Sequence, residues 1–306
     1  MLSILTVTYQ RHELLGRKLD SLLAQTLAPR LFEWCVASNG DDRAAALLGS
    51  WRTPFALRAV TLANNLPIAA ALRAAAARAT GELLLMSDDD VLLPPGCLAA
   101  HLESHGYDPT TGTKLVAGPR ANLRPRVVVG ALRLPAALRA TREREPFERT
   151  AALSGRALWI NATGANTSLA RSAFDEVGGY DPAFAAYGGE DSDLALRLRA
   201  LGAQFVSSWA AWAEHVGLVT EDVDKARAAG RAGVRVWRKH GGLDVGLLLG
   251  VHPLLLAAKQ LLLATPLRAL FGPRTAAYED AYRRGASEEL ARTKPDSGQA
   301  GEKERG

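Results

Sequence analysis

The chain has 306 residues, 48% of them hydrophobic and 23% charged, with a formal net charge of +5. This composition excludes a disordered chain, and the length allows one large domain or two small ones with a substantial core. The modest positive charge, carried far more by Arg than by Lys, suits anionic ligands or a membrane surface. It is not interleaved with aromatics in a nucleic-acid module, so no nucleic-acid partner is expected.

Two cysteines, Cys35 and Cys97, lie far apart in apolar surroundings, which predicts a reduced, cytoplasmic compartment and no structural zinc. The first residues, Ser3 to Thr8, are strand-like, rich in β-branched side chains and without a basic n-region, so no secretory signal is expected. Leu15, Leu19, Leu22 and Leu23 recur at helical spacing up to about Leu27, where Pro29 breaks the pattern. Phe32 to Ala37 predicts a second strand, closed by the turn signal Ser38-Asn39-Gly40-Asp41-Asp42. Leu57 to Leu62 predicts a third, and Ile68 to Ala79 an Ala-rich helix that ends at Gly81. Strand and helix alternate, which implies right-handed crossovers and a mostly parallel sheet. No GxGxxG follows the first strand, so a dinucleotide fingerprint is absent.

Leu83-Leu84-Leu85-Met86-Ser87-Asp88-Asp89-Asp90 is the stretch around which the rest is organised. Four apolar residues predict a strand buried on both faces, and three carboxylates stand at its end. Open α/β sheets bind ligands at that edge. Adjacent carboxylates repel unless a cation or a donor set is present, and they supply hard oxygen ligands for a divalent ion. A solvated turn capping the next helix is the ordinary alternative.

A helix is expected from about Cys97 to His105 and a core strand from Leu115 to Gly118. Residues 120 to 150 hold eight arginines against three glutamates, with prolines at 125, 135 and 146. They predict a loop, either solvated or forming an electropositive lip. Leu158 to Leu169 restores order, followed by a short helix from Arg171 and by Gly178-Gly179-Tyr180-Asp181. A second acidic knot, Gly188-Gly189-Glu190-Asp191-Ser192-Asp193, opens a helix carrying Leu194, Leu198 and Leu201. Acids there offset the helix dipole in any case, but two glycines just before them let a backbone approach something closely.

Gln204 to Ser208 predicts a further strand, with Glu214 and His215 beyond it. Val223 to His240 is a basic helix. Val245 to Phe271 is the most apolar stretch, yet His252, Pro253, Lys259, Gln260 and Pro266 interrupt it, so a spanning helix is not expected. A helix lying in a membrane interface and one packed on the protein are both consistent with it. The polar tail is expected to be disordered.

Taken in order, residues 3 to 216 resemble the family 2 glycosyltransferases. Four blocks carry the resemblance: Ile4 to Arg11, Asn65 to Gly81, Ser87-Asp88-Asp89-Asp90 at the place of the DxD motif, and Asn166 to Asp193, similar to galactosyltransferase-type C-terminal regions. The resemblance implies a Rossmann-like α/β fold of the A type, a mostly parallel central sheet flanked by helices. The catalytic domain would span 1–218, with a nucleotide-sugar half (1–118) and an acceptor half (119–218). A helical, partly apolar extension (219–285) and a tail (286–306) would follow.

By the same resemblance, Thr8, Tyr9, Arg11, Asn39 and Asp41 line the nucleotide side and Arg73 approaches the diphosphate. Asp88 and Asp89 meet the ribose; with Asp90 and His215 they hold Mn2+ or Mg2+. Asp191 is the base, supported by Glu190. Ser38 stands where relatives often have the base-binding Asp, with Asp41 or Asp42 as its substitute, and Ser87 where many have the first Asp of the motif, which shifts the ligands to Asp89 and Asp90. The implied activity is metal-dependent, inverting glycosyl (hexosyl) transfer from a nucleotide-diphospho-sugar to a glycan or lipid-linked acceptor in cell-envelope or polysaccharide synthesis. Peripheral contact with the inner face of the plasma membrane through 245–271 goes with it. A sugar-phosphate nucleotidyltransferase would need a Gly-rich basic loop where Thr8-Tyr9-Gln10-Arg11-His12 stands. A noncatalytic membrane or glycan-binding module would need neither acidic knot.

Overall fold

The computed structural model describes residues 1–115, 124–133, 158–217, 223–271 and 273–292. Its first half alternates strand and helix: β1 (Leu2–Thr8), α1 (His12–Leu23), β2 (Phe32–Asn39), α2 (Asp42–Ser50), β3 (Ala56–Leu62), α3 (Ile68–Ala76) and β4 (Leu83–Met86). β1 pairs in parallel with β2 and β4, and β2 with β3. Helix α2 is a correction to the sequence reading, which saw only a turn there. It buries just Ala44 and Leu48, too sparse a period to read, and is started by the Asp41 carboxylate accepting from the Ala44 amide.

β1, β2 and β4 are buried because helices cover both faces, whereas β3, at the sheet edge, is largely exposed. On one face Leu2, Ile4, Leu83 and Leu85 join Leu15 and Leu22 of α1. On the other, Ala37 of β2 meets Ala71 and Ala75 of α3, small side chains that let this helix lie close. At the amino edge Glu33 accepts from Ser3 Oγ (2.6 Å), the Thr80 amide (2.6 Å) and Arg58 (2.5 Å), which locks β1, β2 and β3 together.

The chain continues through β5 (Val91–Leu92), α4 (Cys97–Ser104), β6 (Arg126–Arg133), β7 (Thr167–Ala170), α5 (Arg171–Glu176), α6 (Glu190–Ala200) and β8 (Gln204–His215). The sheet among the described residues has the order β3-β2-β1-β4-β7-β6-β8-β5. β7 runs antiparallel to β4 and β6, β5 antiparallel to β8, and β6 parallel to β8. The order reverses at β1, with β2 on one side and β4 on the other. A crevice forms at the carboxyl ends of such a pair.

Three expectations change here. The basic segment contains a central strand: Val127, Val128, Val129 and Ala131 of β6 are buried, a β-branched run obscured by its arginines. Residues 134–150 and 116–118 lie outside the described residues, and Leu115 is exposed rather than in a core strand. β8 continues past Ser208 to His215, because β5 offers Val91 and Leu92 as partners for His215 and Glu214. A buried network then fixes β7 against α4 and β8. His101 meets Ser168 (2.8 Å) and Asn166 (2.9 Å), and the Asn166 side-chain amide donates to the Ala211 carbonyl (2.7 Å). Desolvation pushes His101 down to about 4, so it stays neutral.

The chain divides into two compact units, Met1–Ala186 with Glu190–Val219, and Tyr187–Gly189 with Thr220–Gly306. In the second, α7 (Val223–His240), α8 (Leu243–Leu248), α9 (Pro253–Ala264) and α10 (Pro273–Ala291) follow in turn. α7 and α10 pack closely where Gly230 and Gly285 leave no room for a Cβ against the facing backbone. Glu288 pairs with Arg227 and Arg231 across the same seam. The tail expected from residue 286 begins instead as the last turns of α10, held by those pairs; residues 293–306 are not described. Leu243–Ala264 is long and apolar enough to cross a membrane, and only 11% of it is buried. Of the predicted interruptions, His252 and Pro253 coincide with the break between α8 and α9, which also holds Gly250 at φ 70°, whereas Lys259 and Gln260 lie inside the unbroken α9.

Candidate active site

The carboxyl ends of β1 and β4 meet at the acidic turn. Thr8 Oγ1 donates to Asp89 Oδ2 (2.9 Å), and Arg11 Nη1 donates to Asp89 Oδ1 (3.0 Å) and Asp90 Oδ2 (2.6 Å). His215 Nε2 stands 3.5 Å from Asp90 Oδ1, the Val216 amide donates to the Asp90 carbonyl (2.9 Å), and Gly217 abuts the same carboxylate. Below the turn, Lys18 of α1 is wholly buried and donates to Ser87 Oγ and the Val91 carbonyl, both at 2.5 Å, one on each side of the three aspartates. Sequence reasoning missed Lys18. The signal was a charged residue on the apolar stripe of α1, between Leu15 and Leu22.

These surroundings split the three aspartates. Desolvation pushes Asp88 up to about 7, reinforced by Asp90, Asp191 and Asp89. Asp89 is also raised by desolvation, against the pull of Arg11 and Thr8. For Asp90 desolvation loses to His215 and Arg11, and its pKa is lowered. Lys18, desolvated but facing the acids, is pushed down to about 8.

The second acidic knot comes to the same place. A Cβ built on Gly164 would lie 3.5 Å from Asp191 Oδ1 and 3.6 Å from Asp88 Oδ1. The Gly164 amide donates to Asp191 Oδ2 (2.8 Å) and the buried Tyr180 hydroxyl to Asp191 Oδ1 (3.1 Å). Desolvation, then the neighbouring Glu190, pushes Asp191 up to about 7 against those two donors. Glu190 is raised too, by desolvation and by Asp88, and its Oε2 is buried without a hydrogen-bond partner. Asp88, Asp89, Asp90, Glu190, Asp191 and His215 are therefore one cluster, with Gly164, Tyr180 and Gly217 as members that sequence reasoning did not place.

The other expected residues lie around or away from it. Asp41 holds the loop before α1 through the Gln10 amide (2.7 Å) and His12 (3.0 Å), and these bonds keep it below its ordinary value despite desolvation. Tyr9 is exposed beside it, its hydroxyl meeting Gln10 (3.1 Å). Asn39 spends both ends of its amide on Asn65 and Leu66. Arg73 donates to the Gly178 and Tyr180 carbonyls (2.9 and 2.8 Å) and lines a separate cavity of about 290 Å3 with Arg171 and Phe174. It steadies the loop that carries Tyr180 and makes no described contact with the acids.

Among the described residues no three His, Cys, Asp or Glu side chains already surround one point as metal ligands. The donor set nevertheless fits a divalent cation. Asp89 and Asp90 offer hard oxygens, His215 an imidazole beside Asp90, and a guanidinium already bridges the two carboxylates where positive charge is favoured.

Comparison with known proteins identifies the family and the fold. Residues 145–213 match the family described as N-terminal domain of galactosyltransferase. The O-antigen biosynthesis protein RfbC of Myxococcus xanthus is 33% identical over 217 residues, 67% of this chain and 16% of that protein. Validoxylamine A glucosyltransferase of Streptomyces hygroscopicus subsp. limoneus is 28% identical over 229 residues, 69% of this chain and 51% of that one. The chain thus spans about a sixth of the first relative and about half of the second. Among solved structures, the mannosyltransferase PcManGT from Pyrobaculum calidifontis, in complex with GDP-Man and Mn2+, has the same fold, with a TM-score of 0.63 at 18% identity, covering 95% of this chain and 87% of that one. S. aureus TarS 1–349 in complex with UDP-GlcNAc gives 0.55 at 14% identity, covering 94% and 91%. With residues 3–178 matching its family description, the chain belongs to glycosyl transferase family 2.

Proposed function

We propose that the chain carries out inverting glycosyl transfer from a nucleotide-diphospho-sugar to an acceptor hydroxyl, with Asp191 as general base and a divalent cation at Asp89, Asp90 and His215. The observation that carries this reading is the convergence of two distant acidic knots on Gly164, one at the donor edge of the sheet and one at the start of α6. Asp191, pushed up to about 7, is matched to accepting a proton near neutral pH. Each of its oxygens already accepts one bond and keeps a second lone pair, so the Gly164 amide and Tyr180 hydroxyl orient the carboxylate without blocking it. Asp191 takes the acceptor proton, the acceptor oxygen bonds to the anomeric carbon, and the bond from that carbon to the diphosphate breaks. One displacement inverts the centre. A bound divalent ion would supply charge stabilisation to the leaving diphosphate. Thr8, Tyr9 and Arg11, at the carboxyl end of β1, would face the nucleotide.

The GDP-Man and Mn2+ of one structural relative and the UDP-GlcNAc of another support a nucleotide-sugar donor and a metal. The O-antigen relative supports a glycan acceptor in polysaccharide synthesis. The exposed leucines of α8 and α9, Leu243, Leu254 and Leu261, support peripheral attachment to a membrane. The test is a thermal-shift panel of UDP, GDP and dTDP sugars with and without Mn2+. One donor should raise Tm by several degrees, more with Mn2+ than without. No shift with any donor under either condition overturns the reading.

A further inference from the structure

Arg11 holds the position that a divalent ion would need. One guanidinium nitrogen, Nη1, lies 3.0 Å from Asp89 Oδ1 and 2.6 Å from Asp90 Oδ2, between two carboxylates that would otherwise repel. The carboxylates are buried, with 5% and 9% of their side chains exposed, whereas the Arg11 side chain is 45% exposed. The cation therefore closes the acidic turn from the solvent side.

The backbone aims it there. Gln10, just before it, has φ 55°, and is the non-glycine residue with a positive φ among those described. A side-chain-bearing residue rarely adopts that conformation, and here Asp41 holds it by accepting from the Gln10 amide (2.7 Å). The second cation beneath the turn behaves differently. Lys18 is enclosed and bonded to Ser87 and Val91, so it cannot leave. Arg11 can.

We propose that Arg11 is the chain's own exchangeable counter-cation. A divalent ion and the guanidinium compete for Asp89 and Asp90, and the donor's diphosphate receives the guanidinium that the ion displaces. This inference rests on the metal-dependent donor reading above. Two consequences follow from linkage. The ion binds weakly alone, because it must remove Arg11. The ion and a nucleoside diphosphate bind together better than separately, by a factor that Arg11 contributes to and that is the same whichever binds first.

The test is a Mn2+ titration read from the paramagnetic resonance signal of free Mn2+, on the full chain, with and without UDP or GDP. Arg11→Met should bind Mn2+ at least about fivefold more tightly than wild type without nucleotide, and the enhancement by the diphosphate should shrink by a similar factor. Arg11→Lys, which keeps a charge, should stay near wild type, and a single cooperative melting transition above the assay temperature for all three controls for folding. Equal or weaker Mn2+ binding in Arg11→Met overturns the exchange and leaves the metal reading standing. If neither protein binds Mn2+ while a diphosphate alone still stabilises both, the metal reading fails and the exchange with it.

Discussion

Asp88 and Asp191 both reach the backbone of Gly164: the three heavy atoms nearest a Cβ built there are two carboxylate oxygens of Asp191 and one of Asp88. Those distances, 3.5 to 3.6 Å, are ordinary van der Waals contacts, and Gly164 does not have a positive φ. Gly164→Ala should therefore leave stability within about 0.5 kcal/mol of wild type. It should still lower turnover by about tenfold or more, since the added methyl would stand against the Asp191 oxygens and crowd the acceptor's approach to the base. Urea denaturation and initial rates on the two proteins check both halves, and a coupled loss of both would show that Gly164 matters only to folding.

Asp191 should set the acid limb of the rate profile. With its value pushed up to about 7, the base form appears only as pH rises through that point. Tyr180→Phe removes a donor that favours the charged form, so the limb should move to higher pH, with kcat at pH 7 down by roughly three- to tenfold and donor affinity unchanged. Asp191→Asn should retain donor binding and lose transfer. The folded chain keeps this proton up to about pH 7, whereas an unfolded aspartate releases it near pH 4. Stability should thus fall as pH rises between those values, and Asp191→Asn should flatten that slope in urea titrations.

Glu33 tests the opposite edge of the sheet, away from the chemistry. Its side chain is fully buried and serves Ser3, Thr80, Gly81 and Arg58. Glu33→Ala strands the Ser3 hydroxyl and the Thr80 amide, while the Gly81 amide keeps Ser3 Oγ (2.8 Å) and the half-exposed Arg58 turns to water. It should destabilise by about 2 kcal/mol, measured by urea unfolding. These donors outweigh desolvation and hold Glu33 below its ordinary value. Its stabilisation is present above the usual carboxylate range and is lost as pH falls through the lowered value.

The apolar face of the second unit makes a separate prediction. Leu254 and Leu261 are 73% and 69% exposed on α9. Cosedimentation with anionic phospholipid vesicles should fall several-fold in Leu254→Glu/Leu261→Glu, with the helical signal retained. Unchanged cosedimentation would remove α9 as the attachment surface.

Much of the fold was legible because strand and helix each leave a periodic apolar trace. Leu83 to Met86 reads as a doubly covered strand, and the acids after it mark a ligand edge, from local chemistry alone. Val223–His240 is helical with the bounds its pattern predicts. Elements whose burial depends on distant partners were not legible. β6 hides its valines among arginines, β8 is lengthened by β5, and α2 exists through the Asp41 cap rather than an apolar stripe.

The residue types of the site, two acidic knots and a histidine, were determined by the sequence itself. Only the tertiary structure decided that Asp88 and Asp191 share Gly164, that Lys18 lies beneath the turn and Arg11 above it, and that Arg73 turns to the backbone of Gly178 and Tyr180 instead. The physical reason is range. Periodicity and capping act over a few neighbouring residues, whereas charge compensation and the desolvation that shifts each carboxylate depend on which groups the folded sheet brings within a few ångströms.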